Sequence, residues 1–377
     1  MKRLAQIVSY YNPPHVGGME MRARERAERL AEKGWLVETL TSAESTYPHT
    51  VKDERLIVRY LKSREIAHTP IMPTLPIAMM KIPRDSAVQV EMAMAYCPEI
   101  TALICKLRRM PYIARVPGTP PGHSKLRDVL LAFYQGTALR WAYKNASLVI
   151  VLTEDDVALV TERYHVDAQR IRVIANGTDF TALASPRSGF QDPFRLLFTG
   201  RVAMQKNIPL LLESLRLFIN TYSLPIHLNL VGDGEDMPRV KQTITDLSLQ
   251  EHVDLKGYVT GKELESLYEQ ADAFVMTSTH ESFPQVLLEA MAKGLPIVAS
   301  NIHGVRTVVE HGTTGLLVDV KKTAFAAAFH RLITENRLYQ KLSRGSLEAA
   351  AKYDWDMTIE KYTGVYDELL GGTLSKR

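Results

Sequence analysis

The sequence has little cysteine and no long apolar run. Cys97 and Cys105 are the only cysteines among its 377 residues, which excludes a disulfide framework and fits a reducing compartment. No stretch of about 18 apolar residues occurs, so we expect no transmembrane helix. The opening residues, MKRLAQIVSYYNPP, include no small-residue cleavage site, and we interpret them as a first strand and not as a signal peptide. These features predict a cytoplasmic protein.

Two ligand patterns are also missing. The chain has no G-x-G-x-x-G motif of the dinucleotide-binding kind. No cluster of His, Cys and Asp residues has the spacing of metal ligands, so we expect no bound catalytic metal and no other cofactor. Internal repeats and low-complexity segments are absent too. The composition, with 46% hydrophobic and 23% charged residues, is that of a globular protein.

Charge is unevenly distributed along the chain. Residues 1–190 hold 26 Lys and Arg against 19 Asp and Glu, whereas residues 191–377 hold 20 against 23. One interpretation is two ordinary domains with different surfaces. The other is a first domain that contacts something anionic, such as the inner face of a membrane or a phosphorylated acceptor. No nucleic-acid partner is expected.

Strand-like and helical segments alternate through both halves, which predicts an α/β protein with parallel, doubly wound, Rossmann-like sheets. In the first half, the predicted strands are LAQIVSYY, WLVETLTS, RLIVRYL, SAVQVEMA, PYIARVPG, ASLVIVLT and RIRVIAN, and the predicted helices are EMRARERAERLAEKG, EITALICKLRRM and DDVALVTERY. In the second half, the strands are FRLLFTGR, IHLNLVGDG, VDLKGYV, DAFVMTS, PIVAS and GLLVD, and the helices are IPLLLESLRLFINTY, MPRVKQTITDLS, GKELESLYEQA and the segment around Glu289.

A break in this alternation predicts the domain boundary. The segment ALASPRSGFQDP, from Ala182 to Pro193, is rich in Pro, Ser and Gly and is the best linker candidate. We therefore predict domains at 1–185 and 186–352, as the chain length favours, with a C-terminal helix at 353–377. Two such domains are expected to face each other across a cleft, which is a favoured position for a ligand.

Three glycine-containing turns are candidate anion sites. In FTGRVAMQKN, Gly200 permits a tight turn, and Arg201 and Lys206 would place two cations beside a helix N-terminus, which suits phosphate. A pair of solvated surface charges is the alternative. In HVGGME, Gly17 and Gly18 lie at the first strand-to-helix turn, where bare backbone could approach a phosphate. LVGDGED also predicts a tight turn after a strand.

The stretch THESFPQVLLEAMAKGLPIVAS contains two glutamates separated by seven residues. Glu281 precedes a helix and could accept hydrogen bonds from hydroxyls. Glu289, about two turns deeper, could accept from a diol such as a ribose, and its apolar neighbours mean that it needs a partner. Backbone N–H groups near Phe283 to Val286 could donate to sugar hydroxyls or phosphate oxygens.

In their order along the chain, these segments resemble the retaining glycosyltransferases of the GT-B fold, and in particular family 4 (group 1). The matching segments, which run from about residue 7 to 318, are PPHVGGME, ASLVIVLTEDD, RVIANGTDF, LLFTGRVAMQKN, LVGDGED, DLKGYV, ADAFVMTSTHESFPQVLLEAMAKGLPIVAS and HGTTGLLV. The resemblance implies that the first domain binds the acceptor, the second binds the nucleotide-sugar donor, and the C-terminal helix packs back on the first domain.

By the same resemblance, the candidate residues acquire expected roles. Glu281 resembles the residue that contacts the donor sugar, Glu289 the one that holds the ribose hydroxyls, and Arg201 with Lys206 the diphosphate-binding pair. Tyr258 would lie beside the nucleobase. The expected catalytic residues are Arg201, Lys206 and Glu281. The expected donor-binding residues are Gly17, Gly18, Gly200, Arg201, Lys206, Tyr258, Glu281, Ser282, Phe283, Pro284, Gln285, Val286 and Glu289.

The chain departs from the family pattern in two places. Many relatives have a His-Gly pair where this chain has Pro117 and Gly118, and His123 is a candidate replacement for the histidine. These three residues and Gly18 are the acceptor-side candidates. Relatives often have a Glu where this chain has Thr307, and we interpret the nearby Glu310 as an ordinary helix residue. Both departures affect the choice of sugar more than the type of reaction.

One short motif is a decoy. Asp354-Trp355-Asp356 resembles the D-x-D metal site of the other major glycosyltransferase fold. It lies directly before a predicted helix, where aspartate is a common N-cap, and we interpret Asp354 in that way.

The resemblance implies transfer of a hexose-type sugar from a nucleoside diphosphate, UDP or GDP, to an acceptor hydroxyl with retained anomeric configuration. The product would be a polysaccharide, glycolipid or other glycoconjugate. It also implies front-side attack, in which the departing β-phosphate takes the acceptor proton and no enzymic general base is needed. Two alternatives stay open: a sugar-nucleotide 2-epimerase, which shares the fold, and a non-catalytic GT-B binding subunit.

Overall fold

The protein is described from a computed structural model, which covers residues 1–14, 17–43, 50–66, 69–116, 133–179, 186–190 and 192–374. The chain forms two compact units. The first consists of Met1–Gly177 and Asp356–Arg377, and the second of Thr178–Trp355. Among the described residues, no helix is both long and apolar enough to span a bilayer.

The first unit is built on an eight-stranded sheet that is parallel except at one edge. Its strands, in chain order, are β1 (Arg3–Ile7), β2 (Leu36–Ala43), β3 (Thr50–Lys52), β4 (Leu56–Lys62), β7 (Ala87–Glu91), β8 (Ile113–Arg115), β9 (Leu148–Val151) and β10 (Ile171–Val173), while β5 (Arg64–Ile66) and β6 (Thr69–Ile71) form a separate hairpin. The spatial order is β10-β9-β8-β7-β1-β2-β4-β3, with β3 antiparallel to β4. The central strand β7 is buried along its whole length, as expected for a parallel strand covered on both faces.

Helices connect these strands. They are Gly18–Glu32, Leu75–Met80, Cys97–Arg108, Arg140–Asn145, which continues a π-helical turn at Gln135–Leu139, and Glu154–Tyr164. The helix Trp355–Leu374 closes the chain on this unit. It is held there by two tyrosine hydroxyls: that of Tyr362 accepts a hydrogen bond from Arg115 Nε at 2.8 Å, and that of Tyr366 donates to Gln89 Oε1 at 2.8 Å.

A buried ionic cluster lies beneath this last helix. Glu91, at the end of β7, accepts hydrogen bonds from Arg26 Nη2 at 2.6 Å and from Arg115 Nη1 at 2.7 Å. Burial raises the pKa of Glu91, but the two guanidinium groups lower it by more, so that the pKa lies below its ordinary value. The carboxylate therefore stays charged and joins the helix Gly18–Glu32 to the sheet.

The second unit is built on a six-stranded, fully parallel sheet. Its strands are β11 (Phe194–Thr199), β12 (Ile226–Val231), β13 (Val253–Gly257), β14 (Ala273–Met276), β15 (Ile297–Ser300) and β16 (Gly315–Val318), in the spatial order β13-β12-β11-β14-β15-β16. The helices are Ile208–Tyr222, Met237–Asp246, Gly261–Gln270, Gln285–Ala292, His303–Arg306, Lys322–Thr334 and Asn336–Ala350. Alternate residues of β11 lie in separate apolar cores. Phe194, Leu196 and Phe198 belong to one core, and Leu197 belongs to the other. The sheet is thus covered on both faces, and the predicted α/β class with two parallel sheets is confirmed.

The structure differs from the sequence-based expectation in its connections. The strand β3, the hairpin β5–β6 and the helix Leu75–Met80 were not predicted, because each has only three to six residues and lies in no longer segment with a strand or helix pattern, unlike the equally short β8 and β10. The chain enters the second unit at Thr178, ahead of the predicted boundary at 185, because the Thr178 amide donates to the carbonyl of Tyr353 at 2.8 Å. In the predicted linker, Arg187 is anchored to the second unit through the carbonyl groups of Ala271, Tyr268 and Lys293.

Candidate active site

The candidate site of the second unit lies where parallel strands end. The carboxyl ends of β11, β14 and β15 meet at one edge of the sheet, and the loops that follow β11 and β14 are tied together there. The hydroxyl of Thr277 donates to the carbonyl of Lys206 at 3.0 Å and to that of Asn207 at 3.1 Å, and the Thr279 amide donates to the carbonyl of Gln205 at 2.8 Å. These hydrogen bonds fix Lys206 opposite the segment that carries Glu281.

Lys206 and Glu281 form an ion pair. Lys206 Nζ lies 2.6 Å from Glu281 Oε1, and only 14% and 10% of the two side chains are exposed. The hydroxyl of Ser278 donates to the same carboxylate oxygen at 2.6 Å. Arg201 lies on the same loop with an exposed side chain. The sequence predicted Lys206 and Glu281 separately, but it did not predict their direct contact or the role of Ser278.

Glu289 has the partner that its apolar surroundings require. It lies in the helix Gln285–Ala292, and its Oε2 accepts a hydrogen bond from the hydroxyl of Tyr268 at 3.0 Å. The same hydroxyl is 2.8 Å from Thr199 Oγ1, at the end of β11. The Tyr268 hydroxyl that donates to the carboxylate is therefore itself held by a second hydrogen bond, to Thr199. Tyr268 was not predicted because, on an amphipathic helix, a tyrosine has the pattern of a core residue.

The turn between the glutamates has the predicted form. Ser282 and Phe283 precede Pro284, which has an extended backbone, and the helix begins at Gln285 and continues through Val286. The Phe283 ring centroid lies 6.2 Å from that of Tyr353, so this turn is packed against the rest of the second unit.

Two glycines let neighbouring loops approach at backbone distance. Gly232 has φ +133°, and a Cβ there would lie 1.9 Å from the carbonyl oxygen of Gly200, the residue that follows β11. A Cβ at Gly304 would lie 1.9 Å from the carbonyl oxygen of Glu281. Only glycine fits at either position. Gly232 thereby positions the loop of Arg201, and Gly304 positions the loop of Glu281.

Two adjoining stretches of the chain match the descriptions of one enzyme family. Residues 16–182 match Glycosyltransferase Family 4, and residues 183–348 match Glycosyl transferases group 1. The chain belongs to the group 1 glycosyltransferases of family 4. This membership confirms the resemblance stated from the sequence.

Curated relatives agree with the assignment. A D-inositol 3-phosphate glycosyltransferase of Corynebacterium urealyticum is 31% identical over 243 residues, which are 60% of this chain and 57% of that protein. The chain thus spans little more than half the length of such relatives. A protein with the same name from Stackebrandtia nassauensis is 26% identical over 98% of this chain and 92% of its own length.

Solved structures show the fold of this family 4 chain. It is similar to a sucrose-phosphate synthase of Thermosynechococcus elongatus, with a TM-score of 0.76, 20% identity and coverage of 99% of this chain and 100% of that one. It is also similar to the Anabaena protein HepE in complex with UDP, with a TM-score of 0.75, 18% identity and coverage of 98% and 100%. Both likenesses establish the predicted GT-B fold.

Tyr258 follows β13 in this family 4 chain, and its side chain is 63% exposed. A tyrosine ring in this position is accessible to a ligand at the carboxyl edge of the sheet. Its position beside the nucleobase stays a prediction.

In the first unit, Gly17 and Gly18 begin the helix Gly18–Glu32. Gly17 is its extended N-cap, and a Cβ added to Gly18 would meet no atom within 4 Å. The backbone of Gly18 is therefore open to a ligand. A small pocket beside this helix start is lined by Val8, Ser9, Tyr10, Met19, Ala23, Glu91, Ala93 and Met94. The acceptor-side candidates Pro117, Gly118 and His123 lie outside the described residues.

The structure describes two further segments discussed from the sequence, the one around Thr307 and Glu310 and the Asp354-Trp355-Asp356 motif. Glu310 was expected in a helix, but this prediction is wrong: it lies in the loop after the helix His303–Arg306. This helix ends at Arg306, and the hydroxyl of Thr307 donates to the carbonyl of Gly304 at 2.7 Å. Asp354 directly precedes the helix Trp355–Leu374, and Asp356 lies 3.3 Å from Lys33 Nζ. Within the described ranges, no three His, Cys, Asp or Glu side chains are grouped as metal ligands.

Proposed function

We propose that this protein is a retaining hexosyltransferase that moves a sugar from a nucleoside diphosphate to an acceptor hydroxyl. The observation that carries the proposal is the Lys206–Glu281 pair at 2.6 Å, at the carboxyl edge of the second sheet, with Glu289 in the following helix. A cation for the diphosphate and two carboxylates for the hydroxyls of sugar and ribose are the groups that this donor requires.

The proposed mechanism consists of positioning and electrostatic support. Lys206 has three N–H donors, so it can contact phosphate oxygens while keeping its bond to Glu281. Together with Arg201 and the start of the helix Ile208–Tyr222, it would stabilise the negative charge that builds up on the departing diphosphate. Glu281 would bind a hydroxyl of the reacting sugar, and Glu289 the ribose. The β-phosphate would take the acceptor proton, without a bound metal.

Named ligands of similar structures support a uridine donor. HepE has been solved with UDP, with UDP and glucose and with UDP-glucose, and the pneumococcal O-GlcNAc transferase GtfA with UDP and GlcNAc. For this chain we propose UDP-sugars first and GDP-sugars second. The basic first half of the chain and the name of the inositol phosphate relatives support a phosphorylated acceptor, and the free, buried Cys97 and Cys105 support a cytoplasmic location.

The test is incubation of the purified protein with UDP-glucose, UDP-galactose, UDP-N-acetylglucosamine and GDP-mannose. A transferase should slowly hydrolyse one of them to free sugar and nucleoside diphosphate, and NMR should show that the sugar is released with its anomeric configuration retained. Hydrolysis should persist in EDTA. Glu281→Gln should abolish it, whereas Glu251→Gln, at an exposed surface position of the same unit, should not.

Two results would contradict the proposal. Interconversion of two sugar nucleotides would favour the epimerase. Binding of a nucleotide sugar without hydrolysis, even when a panel of sugar and sugar-phosphate acceptors is present, would favour the non-catalytic binding subunit.

A further inference from the structure

Three helical segments of the first unit pack side by side. The helix Cys97–Arg108 lies between Leu75–Met80 on one flank and Arg140–Asn145 on the other. Arg108 fixes the first flank by donating to the carbonyl of Met79 at 2.6 Å and to that of Ile82 at 2.7 Å. On the second flank, Lys106 Nζ lies 5.7 Å from the centre of the Trp141 ring. We call the outer surface of these segments the three-helix face.

Large apolar side chains project from this face. Leu103 and Leu107, one turn apart on the central helix, are 45% and 70% exposed. On the flanking helix, Ile77 and Met80 are also one turn apart and are 61% and 55% exposed. Single exposed apolar residues are common on protein surfaces, but four on two packed helices form a patch that favours an apolar partner.

Positive charge surrounds the apolar side chains. Five cations are exposed on these segments and their adjoining turns: Lys81, Arg84, Lys106, Arg109 and Lys144. Among the described residues of the same segments, Asp85 is the only exposed carboxylate. Glu99 is half-buried, and its carboxylate accepts from the Tyr96 amide and the Tyr134 hydroxyl, each at 2.6 Å.

We propose that the three-helix face binds the surface of a phospholipid bilayer that contains anionic headgroups. A bilayer surface offers negative charge to the cations and an apolar region, just below the headgroups, to the projecting Leu and Ile side chains. A second copy of the chain is a poorer partner, since docking face to face would bring the same five cations together. The proposal is independent of the sugar-transfer reaction, because no residue of the face belongs to the Lys206–Glu281 site.

Vesicle co-sedimentation tests the proposal. The full-length protein is mixed with vesicles of phosphatidylcholine containing 30% phosphatidylglycerol, or of phosphatidylcholine alone, at low and high salt. We expect binding to the anionic vesicles at low salt and its loss in 0.5 M salt. Because each Lys or Arg near an anionic surface raises binding about fivefold, Lys106→Glu with Arg109→Glu should weaken binding by at least about 25-fold. Leu107→Asn should weaken it by a smaller factor.

Matched variants on the second unit control for charge and folding. The double variant Lys241→Glu/Lys262→Glu alters two exposed positions and changes the net charge by the same amount as the Lys106 and Arg109 pair. Val320→Asn makes an apolar-to-polar change at an exposed site, as Leu107→Asn does. Both should bind vesicles like the wild type, and all variants should keep its melting temperature. The proposal is overturned if the wild type stays in the supernatant at low salt, or if the control pair loses as much binding as the Lys106 and Arg109 pair. It is also overturned if Leu107→Asn converts a dimer into a monomer, which would make the face a contact between copies.

Discussion

Replacing Lys206 by methionine should affect stability and turnover by separate mechanisms. The change removes an ammonium group 2.6 Å from the Glu281 carboxylate, in a pair whose side chains are only 14% and 10% exposed. Removing one partner of a buried pair costs about 3–5 kcal/mol. Ser278 still donates to this carboxylate at 2.6 Å, so we expect the lower end, about 3 kcal/mol. For a unit of this size, that loss lowers the melting temperature by about 6–12 °C.

The effect on turnover should be of similar size but of different origin. If Lys206 supports the charge on the departing diphosphate, its loss should reduce kcat about 100- to 1,000-fold. The double variant Lys206→Met/Glu281→Met leaves no unpaired charge and should recover most of the stability while remaining inactive. Calorimetry and steady-state kinetics separate the two effects, with Lys241→Met as the exposed control. A single variant that melts and turns over like the wild type would refute both the buried pair and the phosphate assignment.

Three further predictions concern the groups around the site and the first unit. Gly304→Ala should lower the free energy of unfolding by about 1–3 kcal/mol, because the added Cβ would lie 1.9 Å from the carbonyl oxygen of Glu281; an unchanged denaturation midpoint would contradict the close approach. Tyr268→Phe removes the hydroxyl that orients Glu289. It should raise the donor KM roughly tenfold, which corresponds to a loss of about 1.5 kcal/mol in donor binding, with little change in kcat; a fall in kcat alone would count against this role. Because the pKa of Glu91 is lowered from 4.5 in the folded state, its contribution to stability is present above pH 4.5 and is lost as the pH falls below it. Melting curves between pH 6 and pH 3 should therefore fall less steeply in Glu91→Gln than in the wild type, and parallel curves would contradict the shift.

Long, regular segments could be predicted from the sequence because local pattern and tertiary packing agree there. The helix Ile208–Tyr222 begins at the predicted residue. The apolar residues of β11 and β12 are buried along nearly the whole of each strand, as in parallel strands covered on both faces. Short elements that lie in no longer patterned segment gave no such signal. The hairpin Arg64–Ile66 with Thr69–Ile71 depends on pairing between strands of three residues each.

The candidate site could be predicted where a residue type alone shows that a hydrogen-bond partner is required. Glu289 in an apolar segment requires a donor, but the sequence does not say which one, and the structure supplies Tyr268 from a different helix. Contacts between loops that are distant in the chain, such as that of Gly304 with the backbone of Glu281, depend on the order of strands in the sheet. The same reason explains why the anchoring of Arg187 was not predicted. It lies in a segment with the composition of a linker, but its side chain binds the carbonyl groups at the ends of two helices.

The central claim is that the second unit binds a nucleoside diphosphate through Glu289 and Lys206. Calorimetric titration with UDP, GDP and the corresponding nucleosides tests it most directly, on the wild type, Glu289→Gln, Lys206→Met and the exposed control Glu251→Gln. The account predicts that one nucleoside diphosphate binds the wild type and the control equally, and that each site variant binds it at least about tenfold more weakly, which corresponds to the loss of one charge-assisted hydrogen bond. Absence of binding to the wild type at millimolar concentration, or equal binding by Glu289→Gln and the wild type, would contradict it.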